Sequence, residues 1–249
     1  MTQHNIRYTT PSIEDFYKTH RVSWEQFYPS EQVVISKLGL HGSSKVLDIG
    51  CSCGGLGLAL RERFGVIDYT GIEINQKAAE TTKAMNPEAR VIHADILSLS
   101  TAELPENSFD VVFSLGCIDW NVQFSDMLGK AYRYVKPDGH FLSSFRLTMG
   151  ETVNDFTRSY QYINFEGKQE GEIASYVVMN ARELLSELKK LKPQQIVGYG
   201  YWGTSSTTAV TPYKEVCFAV MAVQKRILDG GTLQIDLDLP DDVLSFIRN

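Results

Sequence analysis

The chain is poor in several features that would assign its class at once, beginning with positive charge. Its 24 Lys and Arg stand against 30 Asp and Glu, for a formal charge of −6. Nucleic-acid phosphates are normally held by clustered Lys and Arg, so no DNA or RNA groove is expected. The one basic block, Lys189-Lys190-Leu191-Lys192, suits the end of a helix, where cations meet the negative pole of the helix dipole. Long apolar runs are missing as well. The longest, Val216 to Val223, has eight residues, whereas a membrane-spanning helix takes about 17 to 25. The first residues, Met1-Thr2-Gln3-His4-Asn5, lack the apolar stretch of a secretory signal. A cytoplasmic location with no membrane partner is therefore expected, with Cys51, Cys53, Cys117 and Cys217 reduced. One C-x-C pair with no second pair nearby does not build a tetrahedral metal site, so no metal is expected. With 19 Gly, 8 Pro and 43% hydrophobic residues, collagenous, low-complexity and disordered chains are excluded.

What is present alternates. Lys45 to Ile49 reads as a strand, followed by a Gly-rich turn and a helical stripe through Leu56, Leu58, Ala59, Leu60 and Phe64. Tyr69 to Ile74 is a second strand, and Asn75 is placed to cap the helix that Asn86-Pro87 stops. Val91 to Ala94 and Phe109 to Leu115 give strands three and four. Phe124, Leu128, Ala131 and Val135 mark another helix, and Pro137-Asp138-Gly139 turns into a fifth strand, His140 to Leu147. Asn180 and Glu183 resemble a capping pair for a Leu-rich helix. Two last strands, Gln195 to Trp202 and Glu215 to Val223, are joined by a loop too short for a helix, so they should form an antiparallel hairpin. The reading is an α/β fold: a doubly wound, mostly parallel seven-stranded sheet with helices on both faces and a C-terminal antiparallel β-hairpin. One domain, 1–249, is expected. Within it, 1–40 is an N-terminal helical lid, 41–147 the cofactor-binding half, 148–179 an insertion, 180–225 the last helix and hairpin, and 226–249 a tail. Such a sheet binds its ligand at the carboxyl ends of its strands, near the point where strand order reverses.

At that point the sequence carries Val46-Leu47-Asp48-Ile49-Gly50-Cys51-Ser52-Cys53-Gly54-Gly55. Glycines permit a tight turn and close backbone approach, and the helix that follows offers free N–H groups. A dinucleotide fingerprint fits poorly, because its middle glycine position is Ser52. Asp48, closing the first strand, would repel a pyrophosphate but suits a cationic ligand head. Taken together, these residues resemble the class I S-adenosylmethionine-dependent methyltransferases, whose first motif is acid-x-Gly-x-Gly-x-Gly, with Ser52 in place of the middle glycine. Further landmarks come in order. Glu73, in Gly71-Ile72-Glu73-Ile74-Asn75, matches the acid that holds the ribose hydroxyls, and Asp95 the acid that accepts from the adenine amino group. Phe109-Asp110-Val111-Val112-Phe113-Ser114 resembles the fourth-strand motif, and Val135-Lys136-Pro137-Asp138-Gly139 the turn before strand five. The resemblance implies S-adenosylmethionine as cofactor. It implies contacts from Asp48, Gly50, Cys51, Ser52, Gly54, Glu73 and Asp95, an adenine sandwich from Ile74 and Ile96, and backbone contacts from Leu115 and Gly116.

The acceptor is less legible. After strand four comes Gly116-Cys117-Ile118-Asp119-Trp120-Asn121, with no Asn-Pro-Pro-Tyr signature of the amino-group methylases of DNA bases. Asp119 is a candidate base or substrate hook, or equally a helix cap, and His20 is a second candidate; His93 and His140 read as sheet residues. Aromatics crowd the start of the chain (Tyr8, Phe16, Tyr17, Trp24, Phe27, Tyr28), with a helix expected from about residue 13. These aromatics read equally as ordinary helix packing or, in the resemblance, as a lid over the cofactor; the stretch with Arg158, Tyr160, Tyr162, Phe165 and Glu166 reads equally as a surface excursion or as completing the acceptor site. An aromatic lid on an acidic chain points to a small or medium organic acceptor. Two other readings stay open: a non-catalytic binding or scaffold protein keeping the pocket, and a nicotinamide-dependent oxidoreductase, disfavoured by Asp48, Ser52 and the hairpin. Oligomeric state is not readable from the sequence.

Overall fold

The computed structural model describes residues 12–164, 166–227 and 230–248. Five parallel strands build the first half of the sheet: β1 (Lys45–Ile49), β2 (Asp68–Glu73), β3 (Arg90–His93), β4 (Phe109–Ser114) and β5 (Val135–Thr148). Their spatial order is β3-β2-β1-β4-β5. Strand order thus reverses at β1, between β2 and β4, which opens the ligand crevice expected of a doubly wound sheet. Three short strands follow, β6 (Tyr160–Tyr162), β7 (Ile173–Ser175) and β8 (Met179–Asn180), the last pairing with the end of β5. The hairpin strands β9 (Gln195–Thr204) and β11 (Glu215–Gln224) run antiparallel, and β11 docks antiparallel on β5. Between them, β10 (Ala209–Val210) joins β6 and β7 in a separate three-stranded sheet.

Side chains alternate across the strands, so each strand feeds both faces. Leu47, Val112 and Phe141 pack on one face with the apolar sides of α5 (Phe124–Tyr134) and α6 (Ala181–Lys190). Val46, Val111, Phe113 and Leu142 pack on the other with α2 (Pro29–Ser36) and α3 (Gly55–Phe64). The expected caps form. Asn75 accepts from the Ala78 N–H at 3.0 Å to start α4 (Gln76–Met85), and Asn180 accepts from Arg182 and Glu183 to start α6. Glu183 does not complete a reciprocal box: its carboxylate takes the Thr152 hydroxyl instead.

Two details differ from the sequence reading. The sheet does not stop at seven strands, because β12 (Gln234–Asp238) adds itself parallel to β9 and α7 (Asp241–Arg248) packs against α6. The tail therefore packs on the sheet edge, against Gln195 to Tyr199 of β9. Nor does β5 begin after the Pro137-Asp138-Gly139 turn: pairing starts at Val135, and the turn is absorbed as an irregularity in register. Asp138, at φ +69°, bends there, and its N–H reaches the Lys225 carbonyl at 2.9 Å.

The start of the chain lies over the cofactor loop. α1 (Ser12–Tyr17) is tied to α4 through Glu14, which takes Lys77 and the Thr81 hydroxyl. At Gly55, which opens α3, an added Cβ would stand 2.0 Å from the Arg21 carbonyl oxygen. Only glycine permits that approach. Trp24 packs edge-to-face on Phe64, so part of the aromatic crowd is ordinary core. Tyr8 and Phe165 lie outside the described residues. Among the described residues no helix is long and apolar enough to cross a membrane.

Candidate active site

The carboxyl ends of β1, β2, β3 and β4 open into one cavity of about 1330 Å³. Asp48, Glu73 and Asp95, each at the end of one strand, all line it. Asp48 and Glu73 are only 4% and 5% exposed. The Tyr69 hydroxyl donates to Asp48 Oδ2 at 2.6 Å, and burial pushes the Asp48 carboxyl up to about 7. Glu73 receives the Ser52 N–H on Oε2 and the Asn75 N–H on Oε1, both at 2.8 Å. Burial raises the Glu73 carboxyl too, against the lowering effect of those N–H groups. Asp95 uses Oδ1 to cap the turn that follows it, accepting from the Leu97 N–H at 2.9 Å.

The loop after β1 is shaped by three positive φ values. Gly50, Ser52 and Gly54 lie at +73°, +48° and +77°. At Gly50 a Cβ would fall 2.4 Å from Cys117 Sγ, so glycine is required for space as well as conformation. Ser52 keeps the conformation of the glycine it stands for. Its hydroxyl is buried with no partner among the described residues, and the residue lines the cavity. These features fit S-adenosylmethionine: an unmatched hydroxyl at Ser52 and paired carboxylates suited to hydroxyl and ammonium donors.

Not every residue implied by the resemblance reaches the cavity. Cys51, Ile74, Leu115 and Gly116 line it, with the Gly116 N–H held by Ser144 Oγ at 2.7 Å. Gly54 does not; it opens α3 from beneath, where a Cβ would meet Thr82 and Asn86. Ile96 is buried in the core on the α5 face rather than on the cavity wall, because the turn capped by Asp95 carries its side chain down among Leu99 and Leu104. His20 is exposed, stacked on Phe16 with ring centroids 3.9 Å apart, and does not line the cavity. His140 lies in β5, where burial lowers its pKa, and His93 bonds the Ile74 carbonyl at 3.1 Å.

Asp119 does line the cavity, but not as a helix cap. It sits in a single turn before α5, whose N-cap is Gln123. Its Oδ2 is 3.1 Å from Arg146 Nη1, and both residues are buried. Burial raises the Asp119 carboxyl, while the Arg146 guanidinium pulls it back. Arg146 is held between aromatic faces, 4.7 Å from the Trp120 ring centroid and 3.8 Å from that of Tyr176. A second guanidinium faces the same cavity. Arg21 makes a bidentate pair with buried Glu31, at 2.9 and 3.0 Å, and lies over Phe27. Sequence reasoning missed Arg21, Glu31, Tyr69 and Tyr176. Tyr69 was within reach, since it shares a face of β2 with Gly71 and Glu73, and Gly71 lies opposite Asp48. The others come from remote segments and carried no local signal.

A family model described as a methyltransferase domain matches residues 46–139. Phosphoethanolamine N-methyltransferase of Plasmodium falciparum is 28% identical over 130 residues, which cover 51% of this chain and 48% of that protein. Cycloartenol-C-24-methyltransferase of Arabidopsis thaliana is 29% identical over 168 residues, 61% of this chain and 47% of that one. The chain thus spans about half the length of these curated relatives. A solved SAM-dependent methyltransferase of Methanosarcina mazei superposes with a TM-score of 0.61 at 20% identity, over 81% of this chain and 99% of that one. The matched segment holds the first strand, the glycine turn and the acids of strands two and three, on the sheet order the motifs demand. Residues 46–139 are similar to a methyltransferase domain, and the chain shares the fold of a solved SAM-dependent methyltransferase.

Proposed function

We propose that this chain is an active methyltransferase that uses S-adenosylmethionine to methylate a small or medium organic acceptor. The observation that carries the reading is the continuity of the cavity. The rim of Asp48, Glu73 and Asp95 opens without a wall into a chamber bounded by Tyr17, Trp120, Tyr162, Tyr176 and Phe218. When bound, the cofactor supplies an activated methyl group on a cationic sulfur. The chain's own work is alignment and exclusion of water. Glu73, fixed by two backbone N–H groups, presents its carboxylate to a diol, and Asp48 places negative charge near the cationic methionine head. The N-terminal segment 12–40 acts as the lid, packed over the loop at Gly55, and 148–179 supplies the far wall. The relatives' names include both a phosphate ester and a sterol as acceptors, so they leave the acceptor class to this chain's own residues.

Isothermal titration calorimetry tests the reading: S-adenosylmethionine should bind with micromolar affinity. An acceptor panel should then yield S-adenosylhomocysteine above the rate without enzyme. Absence of binding removes the proposal, and binding without turnover on any acceptor favours the scaffold reading.

A further inference from the structure

The acceptor side of the cavity holds two polar atoms with no partner among the described residues, Asp119 Oδ1 and Tyr176 Oη. Both residues are buried, both line the cavity and both touch Arg146. Arg146 engages Asp119 through Oδ2 and also donates from Nη1 to the Asp119 carbonyl at 2.9 Å, which fixes the carboxylate and leaves Oδ1 unmatched. Buried polar atoms are normally satisfied, so two unmatched atoms on neighbouring residues of a cavity mark a place where a ligand's groups complete the network.

The cations of the cavity make no matching demand for an anion. Arg146 is taken by Asp119, Arg21 by Glu31, and Lys77 by Glu14 at 2.5 Å. No other Lys or Arg among the described residues lines the cavity. A phosphate, sulfate or carboxylate entering here would bring a second negative charge beside a carboxylate already paired in the buried site. Hydrogen-bond donors meet the opposite situation, since a carboxylate oxygen can only accept. Trp120, Phe145 and Tyr162 furnish apolar surface beside the same point, as small-molecule pockets require.

We propose that Asp119 Oδ1 and Tyr176 Oη form the polar anchor for the acceptor, and that the acceptor carries hydroxyl or amine hydrogens and no phosphate, sulfate or carboxylate. This rests on the methyltransferase reading above. Asp119 and Tyr176 are binding residues for the acceptor, and Arg146 is a positioning residue that acts through Asp119.

The test measures S-adenosylmethionine affinity by calorimetry and S-adenosylhomocysteine formation with matched acceptors. The pairs are ethanolamine and phosphoethanolamine, glucose and glucose 6-phosphate, and catechol and its ring-carboxylated analogue. At least one member without an acid group should turn over, at least about tenfold faster than its anionic partner. Tyr176→Phe removes a hydroxyl that no described group holds, so it should keep the wild-type melting temperature. It should raise KM for that acceptor about tenfold and leave cofactor affinity within about twofold. Asp119→Asn should lower kcat/KM about 100-fold at unchanged cofactor affinity. Faster turnover with an anionic member, no turnover with any acid-free member, or a wild-type KM in Tyr176→Phe overturns the assignment. Those results leave the cofactor reading intact if calorimetry still shows binding. Failure of the wild type to bind S-adenosylmethionine removes both.

Discussion

The two halves of the cavity are built by different means. On the cofactor side the acids at the strand ends are held by neutral donors, Glu73 by the Asn75 and Ser52 N–H groups and Asp48 by the Tyr69 hydroxyl. On the acceptor side the charged groups are paired with one another: Arg21 with Glu31, and Asp119 with Arg146. The first half presents carboxylates that await an outside partner. In the second half each guanidinium is already neutralised. Strand register can deliver a ligand-ready acid cheaply, whereas buried cations delivered by loops need their own counter-charge to be stable there.

Substitutions can break this contrast. The largest effect is expected from Glu31→Gln, which strips Arg21 of its buried charged partner. It should cost about 3 kcal/mol of stability, read by denaturant unfolding. Cofactor affinity should remain near wild type if the two halves are independent. Glu73→Gln is the mirror experiment. The cofactor Kd should rise about 100-fold, in line with the loss of charge-assisted hydrogen bonds, with little change in melting temperature.

Titration sharpens the comparison further. Because the Asp48 carboxyl is raised to about 7 by burial, the folded protein binds this proton more tightly than the unfolded chain does. The free protein should therefore lose stability as pH climbs from about 4 through 7. A cationic ligand head favours the ionised carboxylate, so cofactor affinity should increase with pH, by about tenfold between pH 6 and 8. Tyr69, Arg21 and Glu73 act on the same group, the first two lowering its pKa and Glu73 raising it. Asp48→Asn should flatten the affinity profile; an unchanged slope would assign the proton elsewhere. The smallest effect is expected from Ser52→Gly. Relief of the +48° backbone should stabilise the fold by under about 1 kcal/mol, while loss of the unmatched hydroxyl weakens cofactor binding severalfold.

The same contrast explains what the sequence reveals. Asp48, Glu73 and Asp95 are legible because each follows a short apolar strand, and parallel strands bring their ends to one rim whatever the rest of the chain does. Asn75 is legible as a cap for a similarly local reason. Asp119 shows the boundary. Its place after strand four is readable, but its pairing with Arg146 is set by β5 and by the aromatic ring of Tyr176, well outside any local window. Ile96 shows the opposite error, a residue whose neighbour in sequence faces the cavity while it turns into the core. The strand in the tail was visible as the alternation Ile235-Asp236-Leu237-Asp238, yet only the open edge of β9 gives that alternation something to pair with.

That last strand also decides how the sheet ends. β9 spans ten residues, and without β12 its backbone donors and acceptors would stand ready to extend the sheet with any passing chain. β12 covers the first half of that rim, Gln195 to Tyr199, and presents a five-residue edge bearing exposed Asp236 and Asp238. A second copy approaching this side would set like charges against one another. Part of the chain's acidic surplus is thus spent at the sheet's last rung, where its charge opposes further strand pairing.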